Sequence, residues 1–234
     1  MMIPSVFAAD LANSVPDSAR AREAEARVRP ALERELAVRH LHYGAPVFGR
    51  IFKREAQLEL WLQGADGKFV LFRIYPVCKF SGDLGPKQRE GDNQAPEGFY
   101  SIAPKQLNPM SQFHLAFNLG YPNAYDRAHG RTGSALMVHG NCVSVGCYAM
   151  GDAGIEEIYT LIAAALRAGQ GAFDVHIFPF RPSAAALTAN AASPWHAFWL
   201  ELAPAYVIFE RERVPPDVSM RDGAYRIAAR GASR

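Results

Sequence analysis

The chain has 234 residues, of which 49% are hydrophobic and 11% aromatic, and its formal net charge at pH 7 is +2. This composition is that of a globular protein with ample material for a core, and the charge is too small to favour a nucleic-acid partner. No stretch approaches the run of about eighteen apolar residues that a membrane-spanning helix needs.

Residues 1–9 (MMIPSVFAA) fit a remnant of a secretory signal and an ordinary N-terminus equally well. Val6-Phe7-Ala8 resembles the region before a cleavage point, but the basic part and most of the apolar part of a signal are missing.

Residues 10–46 are predicted to form a helical lead-in. The stretch 17–42 is rich in Ala, Arg and Glu and lacks the alternation of a strand. Pro30 is expected to divide it into two short helices, because proline is accepted in the first turn of a helix. A thin apolar stripe places this segment on the surface of the main domain. The stripe consists of Val28, Leu32 and Leu36.

Residues 47–150 are typical of a β-rich segment. Strands are predicted in VFGRIFK, LELWLQ and KFVLFRIYPVCKF, with turn residues GADG before the third. The Gly-, Pro- and charge-rich stretch 81–98 is predicted to be a surface loop. Three more strands are predicted at 99–104, 114–121 and 134–140, with a loop over 122–133.

After Met150 the pattern becomes helical. Asp152 is a suitable N-cap, apolar residues recur at helical spacing from Ile155, and Gly169 stands where the helix should end. A strand (173–180), a second helix (194–212) and a hairpin around Asp222-Gly223 are predicted to follow.

The candidate chemistry lies in SALMVHGNCVSVGCYAM, residues 134–150. An apolar strand ends at His139, Gly140 permits a tight turn, and Cys147 follows eight residues after the histidine, just ahead of the predicted helix. Backbone N–H groups near a helix start and a neighbouring imidazole both favour a thiolate, so we predict a lowered pKa for Cys147. The thiolate would attack a carbonyl. Gly146 leaves room for the substrate, and the N–H of Cys147 is among the donors to the oxyanion.

This stretch resembles the signature of the L,D-transpeptidase (YkuD-type) catalytic domain, in which His-Gly is followed by Ser-x-Gly-Cys. Here the second element is Ser144-Val145-Gly146-Cys147. Ser81-Gly82 and the turn APEGFY at 95–100 are similar to two further family motifs, and the resemblance runs over residues 47–180 in family order.

The resemblance implies a mainly β, α+β fold. We expect a twisted sandwich or barrel-like sheet with a helix after the catalytic cysteine. The catalytic domain would span residues 47–182, and residues 183–234 would form a C-terminal helix and hairpin packed on it. The substrate would be a peptidoglycan stem peptide and the location the periplasm, with the signal sequence truncated or removed.

Two departures from the usual family pattern are similar to features of one branch of the family. The step from His139 to Cys147 is shorter than in most members, and Ala149 stands where the family usually has arginine. With YPNAYDRAHG, these features are similar to Gram-negative periplasmic murein L,D-transpeptidase-related proteins, a branch associated with detaching the outer-membrane (Braun) lipoprotein. The resemblance implies that His139 takes the proton of Cys147, which acylates at diaminopimelate and releases the C-terminal lysine of the lipoprotein. Water would then resolve the thioester.

Two other functions stay open. A true L,D-transpeptidase would pass the acyl group to an amine, forming 3–3 cross-links or attaching lipoprotein or D-amino acids. A non-catalytic murein-binding domain would keep the fold alone, although the complete Cys/His pair argues against it.

Further residues are assigned to the site. Gly140, Ser144, Gly146 and Tyr148 are predicted to form its wall or its oxyanion donors. The remaining candidates are substrate-binding residues in the loop 122–133: Arg127, Arg131 and His129.

Each loop candidate has a second interpretation. An arginine fork suits the carboxylates of a stem peptide, and Arg127 or Arg131 could replace the missing arginine. Both are equally well explained as solvated loop charges. His129 either orients substrate or caps a turn, and the cap is favoured.

The three cysteines leave at least one free thiol in an exported protein. Cys78 and Cys142 could pair, which would leave Cys147 free. Cys147 as a buried structural thiol is a weaker alternative. A zinc site is also a weaker alternative. Its ligands would be Cys142, Cys147, His139 and either Cys78 or His129, but the sequence has no second pair of closely spaced ligands. No metal or cofactor is therefore predicted.

Overall fold

The computed structural model describes residues 14–231. The predicted signal remnant at residues 1–9 lies outside them. In the described range, no helix is long and apolar enough to cross a membrane.

Within residues 14–231, the chain forms five α-helices and eleven strands. The helices are α1 (Ala19–Val38), α2 (Ala124–Ala128), α3 (Asp152–Arg167), α4 (Ala184–Ala189) and α5 (His196–Glu212), and a 3₁₀ turn covers Pro104–Gln106. The strands are β1 (Val47–Phe52), β2 (Gln57–Gln63), β3 (Phe69–Pro76), β4 (Gly98–Ile102), β5 (Leu107–Asn108), β6 (Ala116–Asn118), β7 (Met137–His139), β8 (Tyr148–Ala149), β9 (Phe173–Phe178), β10 (Asp217–Arg221) and β11 (Ala224–Ala228).

The larger sheet has the strand order β3-β2-β1-β9-β4, in which only the β1–β9 pair is parallel. Successive side chains of a strand point to opposite faces. Val47 and Ile51 of β1 therefore enter the core that also contains buried residues of α1 and α3. Phe48 and Phe52 enter the cores on the other face, which is covered by α5 and the hairpin β10–β11. The two-sided covering explains why every residue of β1 is buried.

The smaller sheet, β5-β6-β7-β8, carries the candidate chemistry. Strand β7 runs antiparallel to β6 and parallel to β8. Ala149 of β8 also bridges to Lys79, just beyond the end of β3. Helix α3 begins three residues after β8, so the helix predicted to follow the cysteine is present. The predicted α+β class is confirmed.

The prediction that Pro30 divides the lead-in was wrong, because α1 runs unbroken through it. A proline inside a helix removes one backbone hydrogen bond. Pro30 and Ala26, whose carbonyl loses its partner, are both exposed, so water can bind that carbonyl. The opposite face of α1 packs on α3 and is tied to it by an ion pair of Arg27 with Glu156. This packing outweighs the local preference.

Two local predictions also need correction. The N-cap of α3 is Gly151, and Asp152 is the first helical residue. The carboxylate of Asp152 instead accepts a bond from the Asn141 N–H at 2.7 Å. Within the predicted surface loop 81–98, Glu97 is fully buried because its carboxylate pairs with Lys53 at 3.1 Å.

Candidate active site

Strands β7 and β8 bring the two predicted catalytic residues near each other: His139 is the last residue of β7, and Cys147 directly precedes β8. His139 lies opposite Ala149 and Val138 opposite Tyr148. One more step of this register places Cys147 beside Met137, whose N–H donates to the cysteine sulfur at 3.4 Å. Residues two apart on a strand share a face, so His139 and Cys147 belong to the same face of the sheet, one repeat apart.

His139 is a buried histidine with one bonded ring nitrogen. Its ring is 1% exposed, and Nδ1 lies 2.5 Å from the Gly140 carbonyl oxygen. A carbonyl only accepts, so Nδ1 carries the proton and Nε2 keeps the lone pair. Burial lowers the pKa of His139, and the Gly140 carbonyl partly offsets this. The imidazole is therefore neutral at pH 7 and can take up a proton at Nε2.

Phe113 covers the imidazole of His139, with ring centroids 4.7 Å apart and an interplanar angle of 32°. Neither composition nor periodicity marks Phe113 as a site residue. The contact arises because the loop before β6 folds over the end of β7, where the Gly140 N–H donates to the Leu115 carbonyl at 3.0 Å.

The predicted low pKa of Cys147 is not supported. Burial raises the pKa of this thiol, which outweighs the lowering by the Met137 N–H and by the charge of Lys87. The prediction assumed a cysteine next to a helix start, but strand β8 separates Cys147 from α3. The raised pKa means that the thiol is protonated at pH 7 in the free protein.

The segment between the two residues is braced at several points. A disulfide joins Cys142 to Cys78, beyond the end of β3, with Cα atoms 5.5 Å apart. The Ser81 hydroxyl accepts from the Gly146 N–H at 2.5 Å, and the Ser144 hydroxyl donates to the Cys147 carbonyl at 2.7 Å. The Gly146 N–H is thus already bonded, whereas the N–H of Cys147 stays a predicted oxyanion donor.

The disulfide leaves Cys147 as the free cysteine of the described chain. It also takes two ligands from the zinc alternative. No group of three or more His, Cys, Asp or Glu within residues 14–231 could hold a metal ion.

Gly140 is needed for close packing at the base of the site. A Cβ there would lie 2.7 Å from a carboxylate oxygen of Asp152, 2.9 Å from the Cβ of His114 and 2.9 Å from the carbonyl oxygen of Phe113. These contacts are too short for any side chain. Gly140 therefore allows the loop that carries Phe113 to reach the histidine.

Helix α1 supports that loop from behind. Arg20 donates to the carbonyls of Ser111 and His114, at 2.7 and 2.8 Å. The carboxylate of Glu156 in α3 accepts hydrogen bonds from the His114 ring, at 2.8 Å, and from the guanidinium of Arg27. The lead-in helix thus contributes to the position of Phe113.

Tyr148 does not line the site. Its side chain is fully buried, and its hydroxyl donates to the Pro96 carbonyl at 2.7 Å. Tyr148 directly follows Cys147 in extended backbone, so its side chain projects to the opposite face.

The three candidates from the loop 122–133 lie on or just after α2. Arg131 is buried and pairs with Asp126 at 2.8 Å. His129 is the C-cap residue of α2, and its ring stacks on Tyr125 with centroids 4.1 Å apart. Arg127 is exposed and donates to the Pro122 carbonyl. Of the two arginines, only Arg127 presents its side chain to solvent.

Comparison with known proteins adds sequence and structural relatives. The family model described as the L,D-transpeptidase catalytic domain (YkuD) matches residues 58–177. The chain is 48% identical over 182 residues to the protein named putative L,D-transpeptidase YafK of Escherichia coli K12, covering 78% of this chain and 74% of that protein. The helical cell shape determining protein Pgp2 of Campylobacter jejuni (K307A mutant) is 17% identical, with a TM-score of 0.48 over 76% of this chain and 72% of that structure.

Proposed function

Because the chain belongs to the L,D-transpeptidase catalytic domain family, we propose that it is a periplasmic cysteine hydrolase of peptidoglycan. Its substrate would be the stem peptide linked to lipoprotein, and the bond cut would be the amide between diaminopimelate and the C-terminal lysine of the lipoprotein. Nucleophile and base would be Cys147 and His139.

The first half-reaction forms a thioester. As the sulfur of Cys147 attacks the diaminopimelate carbonyl carbon, Nε2 of His139 takes the thiol proton. The N–H of Cys147 donates to the oxyanion. The intermediate collapses with cleavage of the C–N bond, and His139 returns the proton to the departing lysine amine.

Water completes the cycle. It attacks the thioester carbon while His139 takes one of its protons. The C–S bond then breaks, the proton returns to the sulfur, and the diaminopimelate carboxylic acid is released and loses its remaining proton to solvent. The neutral imidazole supports this scheme, because it can act as base at the start of both half-reactions.

The observation that favours hydrolysis over transpeptidation is the short segment between His139 and Cys147, together with Ala149. A competing acceptor amine must be held in an oriented position facing the thioester. Ala149 provides no charge to hold an acceptor carboxylate, and the guanidinium of Arg131 is bound to Asp126. Water needs no such contacts. Arg127, the exposed arginine, is retained as a candidate for binding the donor stem peptide.

The test is to identify which molecule receives the acyl group from the thioester. The protein would be incubated with a lipoprotein-linked muropeptide, with and without excess acceptor stem peptide or D-amino acid, and the products identified by mass spectrometry. We expect tripeptide and lysine-ended peptide to accumulate, with a pattern that excess acceptor leaves nearly unchanged. Cys147→Ala should form neither product.

Transpeptidation is the second candidate, favoured by the name of the Escherichia coli relative, putative L,D-transpeptidase. If exchanged or 3–3 cross-linked products dominate in the same experiment, the transpeptidase replaces the hydrolase. Binding to murein without any Cys147-dependent product would indicate the non-catalytic domain.

A further inference from the structure

A cavity of about 340 Å³ opens between the loop 83–94 and Trp195. The cavity adjoins the nucleophile through Gln94, which lines it. The carbonyl oxygen of Gln94 would be 3.5 Å from a Cβ at Gly146, the residue before Cys147.

One wall is fixed by the carboxylate of Asp92. This carboxylate accepts from Nζ of Lys87 at 2.5 Å and from the backbone N–H groups of Gln88, Arg89 and Gln94 at 2.8, 3.0 and 3.0 Å. The bonds are made to the charged form, and the pKa of Asp92 is lowered to about 2. The loop therefore has a single, well-determined path in spite of its Gly- and charge-rich sequence.

The opposite wall is fixed by Gln94 and Trp195. The amide of Gln94 bonds both the N–H and the carbonyl of Asp83, at 3.0 and 2.6 Å, and the carbonyl of Gly85 at 2.7 Å. The indole of Trp195 packs so closely on Gly85 that a Cβ there would lie 2.3 Å from its nitrogen. The backbone around the cavity is thus preorganised.

Two charged side chains on this frame are free of hydrogen bonds and ion pairs in the part of the chain that the structure describes. Within residues 14–231, neither the carboxylate of Asp83 nor the guanidinium of Arg89 makes a hydrogen bond or an ion pair, and the two are not paired with each other. Both residues are exposed and line the cavity. A fixed frame that presents one negative group, one positive group and one indole suits a ligand with an ammonium, a carboxylate and a short apolar stem.

We propose that this cavity binds the zwitterionic end of the diaminopimelate side chain of the substrate. Its ammonium would lie at Asp83, its carboxylate at Arg89 and its methylene stem along Trp195. This inference rests on the proposed function. The distal end of diaminopimelate carries these two groups, several carbons away from the carbonyl that Cys147 would attack.

The test measures binding without turnover. The Cys147→Ala protein would be titrated by calorimetry with a soluble tripeptide that ends in diaminopimelate and with the same peptide amidated at its distal carboxylate. Arg89→Gln should weaken binding of the free acid about tenfold, as expected for a lost charge-assisted bond, and leave the amidated peptide unchanged. Asp83→Asn should weaken both peptides, but not one acetylated on the distal nitrogen. Arg226→Gln, which removes an exposed arginine from β11, is the matched control.

Equal affinity for the free and amidated peptides in the protein that keeps Arg89 would overturn the assignment. So would binding of a murein disaccharide that depends on Trp195 but not on Asp83 or Arg89, because the cavity would then be a sugar site.

The two proposals can fail separately. If a thioester forms but Arg89→Gln and Asp83→Asn change no affinity, the cavity assignment fails and the enzyme assignment stands. If no thioester forms, yet free diaminopimelate binds in an Asp83- and Arg89-dependent way by NMR, the cavity assignment stands and the enzyme assignment fails.

Discussion

Gly140→Ala tests the packing at the base of the site. The new Cβ would approach Asp152, His114 and Phe113 to 2.7–2.9 Å, and one of these contacts is with a backbone carbonyl that cannot rotate away. Overpacking of this kind costs about 1–3 kcal/mol. The reduced freedom of the unfolded chain returns about 0.4–1 kcal/mol. The expected net loss in the free energy of unfolding is about 1–2 kcal/mol, or about 2–8 °C in Tm for a chain of this size.

The effect on activity should exceed the effect on stability. The clash pushes the Phe113 loop away from His139 and also strains Gly140, the residue next to His139. In the proposed mechanism His139 is the base, and misplacement of a base by about 1 Å can cost about a hundredfold in rate. The assay is kcat/KM for release of the lysine-ended peptide at 25 °C, alongside thermal unfolding followed by circular dichroism. The matched control is Gly154→Ala in α3, where a Cβ would meet only the Cβ of Met150 at 3.6 Å. This control should stabilise the protein by about 0.5–1 kcal/mol, because alanine favours a helix over glycine.

The two substitutions are thus expected to change Tm in opposite directions. A Gly140→Ala protein with unchanged or higher Tm and unchanged kcat/KM would refute the reasoning, because the contacts around His139 could not then be as close as described.

Three other predictions concern the thiols and the base. Cys147→Ala should abolish iodoacetamide labelling of the native protein, whereas Cys78→Ser with Cys142→Ser should retain labelling and turnover but lose about 2–4 kcal/mol in chemical denaturation. Equal loss of turnover in a folded double variant would contradict this. The labelling rate of Cys147 should rise with pH around a pKa above the ~8.5 of a free thiol, because burial raises it, and a lower midpoint would show that a preformed thiolate exists. Phe113→Ala should raise the pKa of His139 in an NMR titration by admitting water to the ring, while Phe113→Leu should not. An unchanged value in the alanine variant would remove the shielding role.

The sequence predicts best where neighbouring residues determine the outcome. Strands β1 and β2 begin within one residue of their predicted starts. The hairpin turns at Asp222-Gly223, where both residues have positive φ as its turn chemistry requires. Gly169 lies just beyond the end of α3, as predicted.

Features that depend on distant partners could not be predicted in this way. Glu97 is buried beside Lys53, which is far away in sequence and forms an ion pair with it. Phe113 reaches His139 through the fold of a loop that no motif marks. The shift in the pKa of Cys147 was predicted in the wrong direction. Cys147 is close to α3 in sequence, but the short strand β8 between them could not be recognised from the sequence. Burial and alignment of groups are properties of the folded chain, not of local spacing.

The central position of β1 means that the segment matched by the family model cannot be cut out of the chain without breaking the larger sheet. The family match begins at residue 58, after β1 has ended. Yet β1 pairs with β2 at six positions on one side and with β9 at four on the other. A gene fusion or natural truncation that preserved only the matched segment would keep His139 and Cys147 and lose the strand between β2 and β9. The ladder would divide into two strand pairs with newly unpaired backbone edges, so the unit that can be inherited or transplanted intact is larger than the unit that sequence comparison recognises.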